Sequence, residues 1–408
     1  MMGLGSMVGT GVFVSIGLGA GVAGPGVLPA IIVAAIVALC NGMSSAQLAA
    51  AHPVSGGTYE YGYRFLTPWL GFTAGWLFLC AKSASAATAA LGFSGYLLYL
   101  MGIADHVDLR IPALVLLLGM TLLVASGIKR TSSVNTVVVS MTLLTLVLFM
   151  GTVLNGHLVV EHIALSSSDV LSRGFLEACA LMFVAYTGYG RIATMGEEIK
   201  EPTRNIPKAI LLVMAITVTL YLGVAFTAVG ALGSEVLGEL TQSTAAPLEM
   251  VLKNLNKPMM AKVVAVGALT AMAGVLLNLV LGLSRVLLAM GRRKDMPSFF
   301  SKLKGENPCS AVFGVGVLIG VIAMTGSIKL SWSFSAFTVL MYYALTNLAA
   351  LRLPPRLRLY PRAFSYCGLA ACVFLAFQVP VSVWGVGLAF LGLGVSIHLF
   401  VGSLRRPA

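Results

Sequence analysis

Twelve apolar stretches follow one another along the chain, at about 1–22, 27–51, 70–102, 111–127, 132–155, 174–195, 207–231, 261–291, 309–325, 330–351, 365–380 and 382–402. No other feature constrains the fold as strongly. A helix crossing a bilayer needs about 20 apolar residues, so twelve would take about 240 of the 408 and leave short connections. In lipid every backbone polar group must be satisfied internally, which a helix achieves. The sequence therefore predicts an all-α integral membrane protein with about 12 transmembrane helices, built as one polytopic domain over 1–408. Composition agrees: 58% of residues are hydrophobic and 10% charged, against roughly 25% charged in soluble domains. A soluble enzyme, a disordered chain and a nucleic-acid-binding module are excluded together.

Proline and glycine punctuate the stretches, at Pro25 and Pro29, at Pro53 with Gly56-Gly57, and at Pro68, Pro112, Pro202, Pro207, Pro297 and Pro354-Pro355. The formal charge of +12 is spread over short clusters between the stretches. If successive connections alternate sides, nineteen of the 26 lysines and arginines share a side with the N-terminus and six lie opposite, with Lys82 inside a stretch. The positive-inside rule then puts both termini in the cytoplasm of a multi-pass protein of the cell (inner) membrane. The chain opens inside an apolar stretch without the charged n-region of a signal peptide; the expectation is that the first helix lacks its opening turns. Cys40, Cys80, Cys179, Cys309, Cys367 and Cys372 show no C-x-x-C spacing and read as small hydrophobes, without disulfides or metal.

Two apolar stretches are interrupted where a helix should be continuous. The first carries Gly3, Gly5, Gly9-Thr10-Gly11 and Phe13; the second carries Phe183-Val184-Ala185-Tyr186-Thr187-Gly188-Tyr189-Gly190. Glycine costs a helix about 1 kcal/mol relative to alanine, so glycines paired with a hydroxyl favour an unwound stretch. Small residues also serve close helix packing. Freed backbone at membrane depth survives only where it is buried in protein or lines a cavity. Half-helix N-termini there favour an anion and freed carbonyls a cation. A zwitterion satisfies both, and the two interruptions fall five stretches apart, in the first and the sixth.

The chain resembles the amino acid–polyamine–organocation (APC) permeases over essentially its whole length. The residues that carry the resemblance are Gly9 to Phe13 with Ala23-Gly24-Pro25, Pro53-Val54-Ser55-Gly56-Gly57-Thr58-Tyr59, Phe183 to Tyr189, Gly196-Glu197-Glu198 through Pro202 to Pro207, Ser284-Arg285 to Met290, and Asp295-Met296-Pro297. It implies a five-plus-five inverted repeat with discontinuous helices 1 and 6, repeat one at about 1–155 and repeat two at about 174–351, with peripheral helices at about 365–402. No internal repeat is visible in the residues themselves.

The resemblance also implies roles. Gly9, Thr10 and Gly11 would bind the substrate carboxylate through backbone N–H groups, Thr10 adding its hydroxyl. Carbonyls of Met7, Val184 and Thr187, beside Gly188, would receive the amino group. Relatives often place an aromatic gate where this chain has Val184, so Phe183 or Tyr186 must serve, and often an acid where it has Gly190. Their frequent coupling lysine of span five corresponds to Thr142, and their frequent span-three acid falls close to Lys82.

A lysine at membrane depth costs about 2.5–3.5 kcal/mol on insertion scales. Lys82 is expected either to replace the missing coupling charge or to be structural, snorkelling or paired with Glu177 near the far start of span six. Asn41 and Asn278 are read as interhelical hydrogen-bonders, Arg285 as reaching headgroups, and Glu197 and Glu198 as pairing with Lys200 or Arg204. His52, His106, His157, His162 and His398 show no metal spacing. No nucleophile–base or metal constellation suggests an enzyme, and no cofactor is implied.

The expectation is secondary active transport of an amino acid by alternating access, proton-coupled through Lys82. The alternatives are an exchanger without ion coupling, a sodium symporter in which Thr142 helps accept the cation, or a transport-inactive membrane sensor. With no acid in the central parts of spans one, three, six, eight or ten, a neutral, small-to-medium substrate is expected.

Overall fold

The computed structural model describes residues 2–54, 56–127, 132–170, 172–193, 201–303 and 307–403. Lys129, Arg130, Gly196, Glu197, Glu198, Lys200, Lys304, Arg405 and Arg406 lie outside the described residues. Among those described there is no β-strand. The helices are α1 (Met2–Met7), α2 (Ile16–Ala23), α3 (Val27–Ala51), α4 (Thr58–Phe65), α5 (Pro68–Met101), α6 (Arg110–Ala125), α7 (Ser132–Leu154), α8 (Ser167–Val170) and α9 (Arg173–Tyr186). They continue as α10 (Gly190–Ala193), α11 (Pro202–Leu232), α12 (Ser234–Thr244), α13 (Pro247–Asn254), α14 (Pro258–Arg292), α15 (Cys309–Ala323), α16 (Ile328–Leu351), α17 (Arg362–Ala376) and α18 (Val381–Ser403).

Within the described residues each apolar stretch is mainly helical, and local chemistry sets the ends. Thr67 caps α5 by accepting from Leu70 N–H at 3.3 Å, with Pro68 in the first turn, where a missing N–H costs nothing. Gly102, at φ 71°, closes the same helix. Ser172 and Ser327 cap α9 and α16. Among the described residues, seven helical segments are long and apolar enough to cross a membrane, or eight if the bent pair 160–170 and 173–192 is one span. Helices α6, α15 and α17 have 15 or 16 residues; at 1.5 Å per residue they are shorter than a hydrocarbon core of about 30 Å.

Helices α5 and α16 form the centre: 72% and 78% of their apolar windows are buried, against 17% in α18. The sequence permits this because α5 carries Ser83 to Ala90, a run of alanine, serine and threonine that lets other helices approach closely. Ser85 and Ser335 share a hydrogen bond of 2.8 Å, and Ser335 donates to the Ala81 carbonyl at 2.9 Å, joining α5 to α16. Asn41 does hydrogen-bond between helices, accepting from Asn347 on α16 at 2.5 Å and from Cys372 on α17 at 3.3 Å. Large apolar side chains such as Val115, Val137 and Val317 face outward, 65–67% exposed, as a lipid-facing surface requires.

The bundle has two distinct ends. One carries α4 and the residues after α14; the other carries α12 and α13.

Candidate substrate site at the two broken helices

The first helix breaks where its glycines predict. Val8 N–H still reaches the Leu4 carbonyl at 2.7 Å, and then Val12 and Phe13 N–H converge on the Gly9 carbonyl at 3.1 Å each. A five-residue π-helix, Gly11–Ser15, leads into α2. Such a change of ladder leaves the N–H groups at its start without carbonyl partners. The Thr10 hydroxyl, buried at the break, has no hydrogen-bond partner.

The sixth apolar stretch breaks in the same way. Helix α9 stops at Tyr186, a 3₁₀ turn covers Thr187–Tyr189, and α10 begins at Gly190. The two breaks touch. A Cβ at Gly188 would lie 2.5 Å from the Ser6 carbonyl carbon and oxygen, and one at Gly11 would lie 2.8 Å from the Ala185 Cβ. Only glycine permits this approach.

Lys82 joins α5 to the second break. Its Nζ donates to Thr187 Oγ1 at 2.7 Å, and the Thr187 hydroxyl donates to the Val184 carbonyl at 2.7 Å. The charges acting on Glu177 are Lys329 and Arg173, and Lys82 forms no ion pair with a described residue.

A cavity of about 290 Å³ opens beside this bond. Ser6, Thr187 and Gly188 line it from the breaks, Phe78 and Lys82 from α5, Val275 to Ala289 from α14, and Tyr342 and Tyr343 from α16. Each long helix contributes only the half nearer α4, so the cavity lies between mid-height and that end. Beyond mid-height the space is filled. The Tyr96 hydroxyl donates to the Phe13 carbonyl at 3.0 Å, and Leu248 N–H donates to the Tyr96 oxygen at 3.3 Å.

The structure brings together Lys82, Thr187 and Gly188 of the expected residues. Gly9, Thr10, Gly11 and Val184 are buried in the breaks next to the cavity wall. The Met7 carbonyl already accepts from the Tyr221 hydroxyl at 2.8 Å. Phe183 stands edge-on to Tyr343, ring centroids 5.6 Å apart, and so backs the cavity wall. Tyr186 turns away, its ring tilted against Tyr221 with centroids 5.2 Å apart, and donates to the Ile31 carbonyl at 3.3 Å. Thr142 donates to Val138 O in its own helix at 2.7 Å. Arg285 and Asn278 line the cavity, and Arg204 lies 3.9 Å from Glu201.

One cluster escaped the sequence reading although Tyr59 and Asp295 stood in the quoted motifs. Tyr59 and Tyr63 on α4 donate to Asp295 Oδ2 at 2.7 and 2.6 Å. Arg293 pairs with Glu60 at 2.7 Å and lies over the Tyr63 ring. His398 of α18 stacks on Phe72 and lies 3.7 Å from Asp295. Burial, then the bond to Asp295, pushes both tyrosine hydroxyls up from their ordinary pKa, so they remain donors.

The amino acid permease family matches residues 1–401. The chain belongs to that family. This permease is 36% identical to an uncharacterized transporter of Mycobacterium tuberculosis over 402 residues, 98% of its own chain and 88% of the other. It is 27% identical to a branched-chain amino acid permease of Bacillus subtilis, over 96% and 88% of the two chains. It is also 26% identical to the vacuolar cationic amino acid transporter 4 of Arabidopsis thaliana, over 84% and 60%. The permease is a multi-pass membrane transporter of the amino acid transport class, and not an enzyme.

Proposed function

We propose that the permease carries an amino acid across the cell membrane by alternating access, driven by protons through Lys82. The supporting observation is the 2.7 Å bond from Lys82 to Thr187 in the broken turn. An ammonium can only donate, which leaves the Thr187 proton for the Val184 carbonyl. A neutral amine can accept, and would draw that proton away from the turn. Protonation of Lys82 and the shape of the site are then linked, as coupling requires: an ion with equal affinity for both facing states shifts nothing. Substrate carboxylate would meet the N–H groups at Gly9 to Gly11 and the unpartnered Thr10 hydroxyl. Its amino group would meet the Val184 and Thr187 carbonyls, while Phe183 backs the wall.

This reading takes twelve spans, with repeat one at about 1–155, repeat two at about 174–351 and peripheral helices at about 365–402. The distribution of lysine and arginine puts both termini and the α4 end in the cytoplasm, so the cavity faces inward. Thr142 donates within its own helix and keeps its oxygen lone pairs, so a sodium-coupled alternative is separated by experiment.

The test is uptake into proteoliposomes under a pH gradient and, separately, a sodium gradient. The expected result is accumulation with the pH gradient, lost in Lys82→Met while counterflow exchange persists. Accumulation driven only by sodium, or a Lys82→Met variant that still follows the pH gradient, overturns the mechanism.

A further inference from the structure

An asparagine within an apolar helix is costly unless its amide is used, because an amide without hydrogen bonds has lost water and gained nothing. Asn41 and Asn278 differ on this point. Asn41 is satisfied, donating to the Val37 carbonyl at 2.7 Å and accepting from Asn347 and Cys372. Asn278 of α14, expected to bond a neighbouring helix, lines the cavity instead and has no hydrogen-bond partner among the described residues. Val275, Asn278, Leu279 and Gly282 share one face of α14 at helical spacing, and all four line the cavity. Leu276 and Val280, turned away from that face, are fully buried.

The same face meets the first break. A Cβ at Gly9 would lie 2.5 Å from Val275 Cγ2, so α14 touches the break there. Asn278 follows three residues later, about 4.5 Å along the helix axis, toward the α4 end. Gly282 is one turn further, and a Cβ there would meet nothing within 4 Å. The wall beside the amide is open.

We infer that Asn278 selects the transported amino acid by its side chain, hydrogen-bonding a neutral hydroxyl or carboxamide. This rests on the reading that the cavity is the substrate site. In that reading the breaks hold the α-carboxylate and α-amino group, and the side chain runs past Val275 along α14. A carboxamide offers both donors and an acceptor, so it can answer a hydroxyl or a second amide. An aliphatic side chain of the same shape would cover Asn278 and leave its amide unpaired, and sites built on such a bond reject the isostere that lacks it. The neutral substrate expected from the lack of central acids is thereby narrowed to a polar one.

The test compares isosteres in reconstituted permease. Counterflow of threonine is measured against valine, and of asparagine against leucine, with lysine and glutamate as charged controls. Each pair shares a shape and differs in hydrogen bonding, so the ratio of transport efficiencies isolates the amide. We expect a preference of about tenfold or more for threonine over valine or asparagine over leucine, largely lost in Asn278→Leu. A purely structural role would lower transport of both members of a pair and leave the ratio alone. Asn278→Ala gives the same reading where the leucine blocks the cavity or the variant does not fold. Valine and leucine carried as well as their polar isosteres, counterflow with the charged controls alone, or a ratio unmoved in both variants overturns the inference and leaves amino acid transport standing. Absence of counterflow with all six overturns both this inference and the proposed function.

Discussion

The two ends of the bundle are closed by different materials. At the α12–α13 end, backbone meets backbone: a Cβ at Gly95 of α5 would lie 2.3 Å from the Thr244 carbonyl, and one at Gly21 of α2 would lie 2.9 Å from the Gly238 Cα. Beneath this contact the Glu249 side chain is 1% exposed and pairs with Lys253 at 2.8 Å, and Lys253 reaches the Tyr99 carbonyl at 3.1 Å. At the α4 end Gly62 of α4 packs equally closely on its sequence neighbour α5, a Cβ there lying 2.5 Å from Gly71 Cα, but what joins α4 to the residues after α14 is a set of side-chain hydrogen bonds around Asp295, beside a cavity. Close-packed backbone is an all-or-none seal, because interiors do not deform continuously. Hydrogen bonds between side chains contribute about 1–3 kcal/mol each and can exchange partners with water. In this conformation the permease is therefore shut by shape at one end and held by polar contacts at the other.

The contrast can be broken most severely at the contact between the helix breaks, where the two ends meet. Gly11→Val would drive a branched side chain into Tyr221 and Ala185. It is expected to abolish uptake while the protein still inserts, read by membrane yield and proteoliposome transport. Saturable uptake near the wild-type KM would dissociate this contact from the transport path.

The sealed end is tested next. Lys253→Met leaves Glu249 buried without its counter-charge and should lower stability by about 3 kcal/mol, measured by unfolding in detergent. Burial already raises the Glu249 pKa, with Lys253 lowering it in opposition. A carboxyl raised by folding opposes the fold as pH climbs past its unfolded value, so the loss should be large at neutral pH and shrink in acid. An equal loss at both would show that packing, and not charge, holds this end.

The smallest effect belongs to the polar end. Asp295→Asn weakens two charge-assisted hydrogen bonds, and should move the equilibrium between facing states by about 1–2 kcal/mol. Labelling of a cysteine placed by Ala289→Cys in the cavity wall should slow several-fold. An unchanged rate would mean that the tyrosine–aspartate cluster does not favour the conformation seen here.

Some of this was legible in the sequence and some was not, for physical reasons. Apolar runs ended by proline and glycine mark the helices because both residues act locally, and glycine likewise marks the breaks. Lys82 is conspicuous because a charge among apolar residues is costly wherever it lies. Its partner is not legible: Thr187 lies 105 positions along the chain, and only the packing of α5 against the broken turn selects it over Glu177. The rotation of α9, which turns Phe183 against Tyr343 and Tyr186 to α3, is hidden because a helix apolar all round carries no directional pattern. The tyrosine–aspartate cluster joins three elements and leaves no local signal at all.

The alanine and serine run of α5 has one more consequence. Side chains this short have almost no rotamers to freeze, and each costs little entropy to bury. Neighbouring helices can slide along Ser83 to Ala90 without melting or recrystallising an interface of long side chains. The run acts as a dry bearing at the centre of the bundle, and Lys82 sits at its rim.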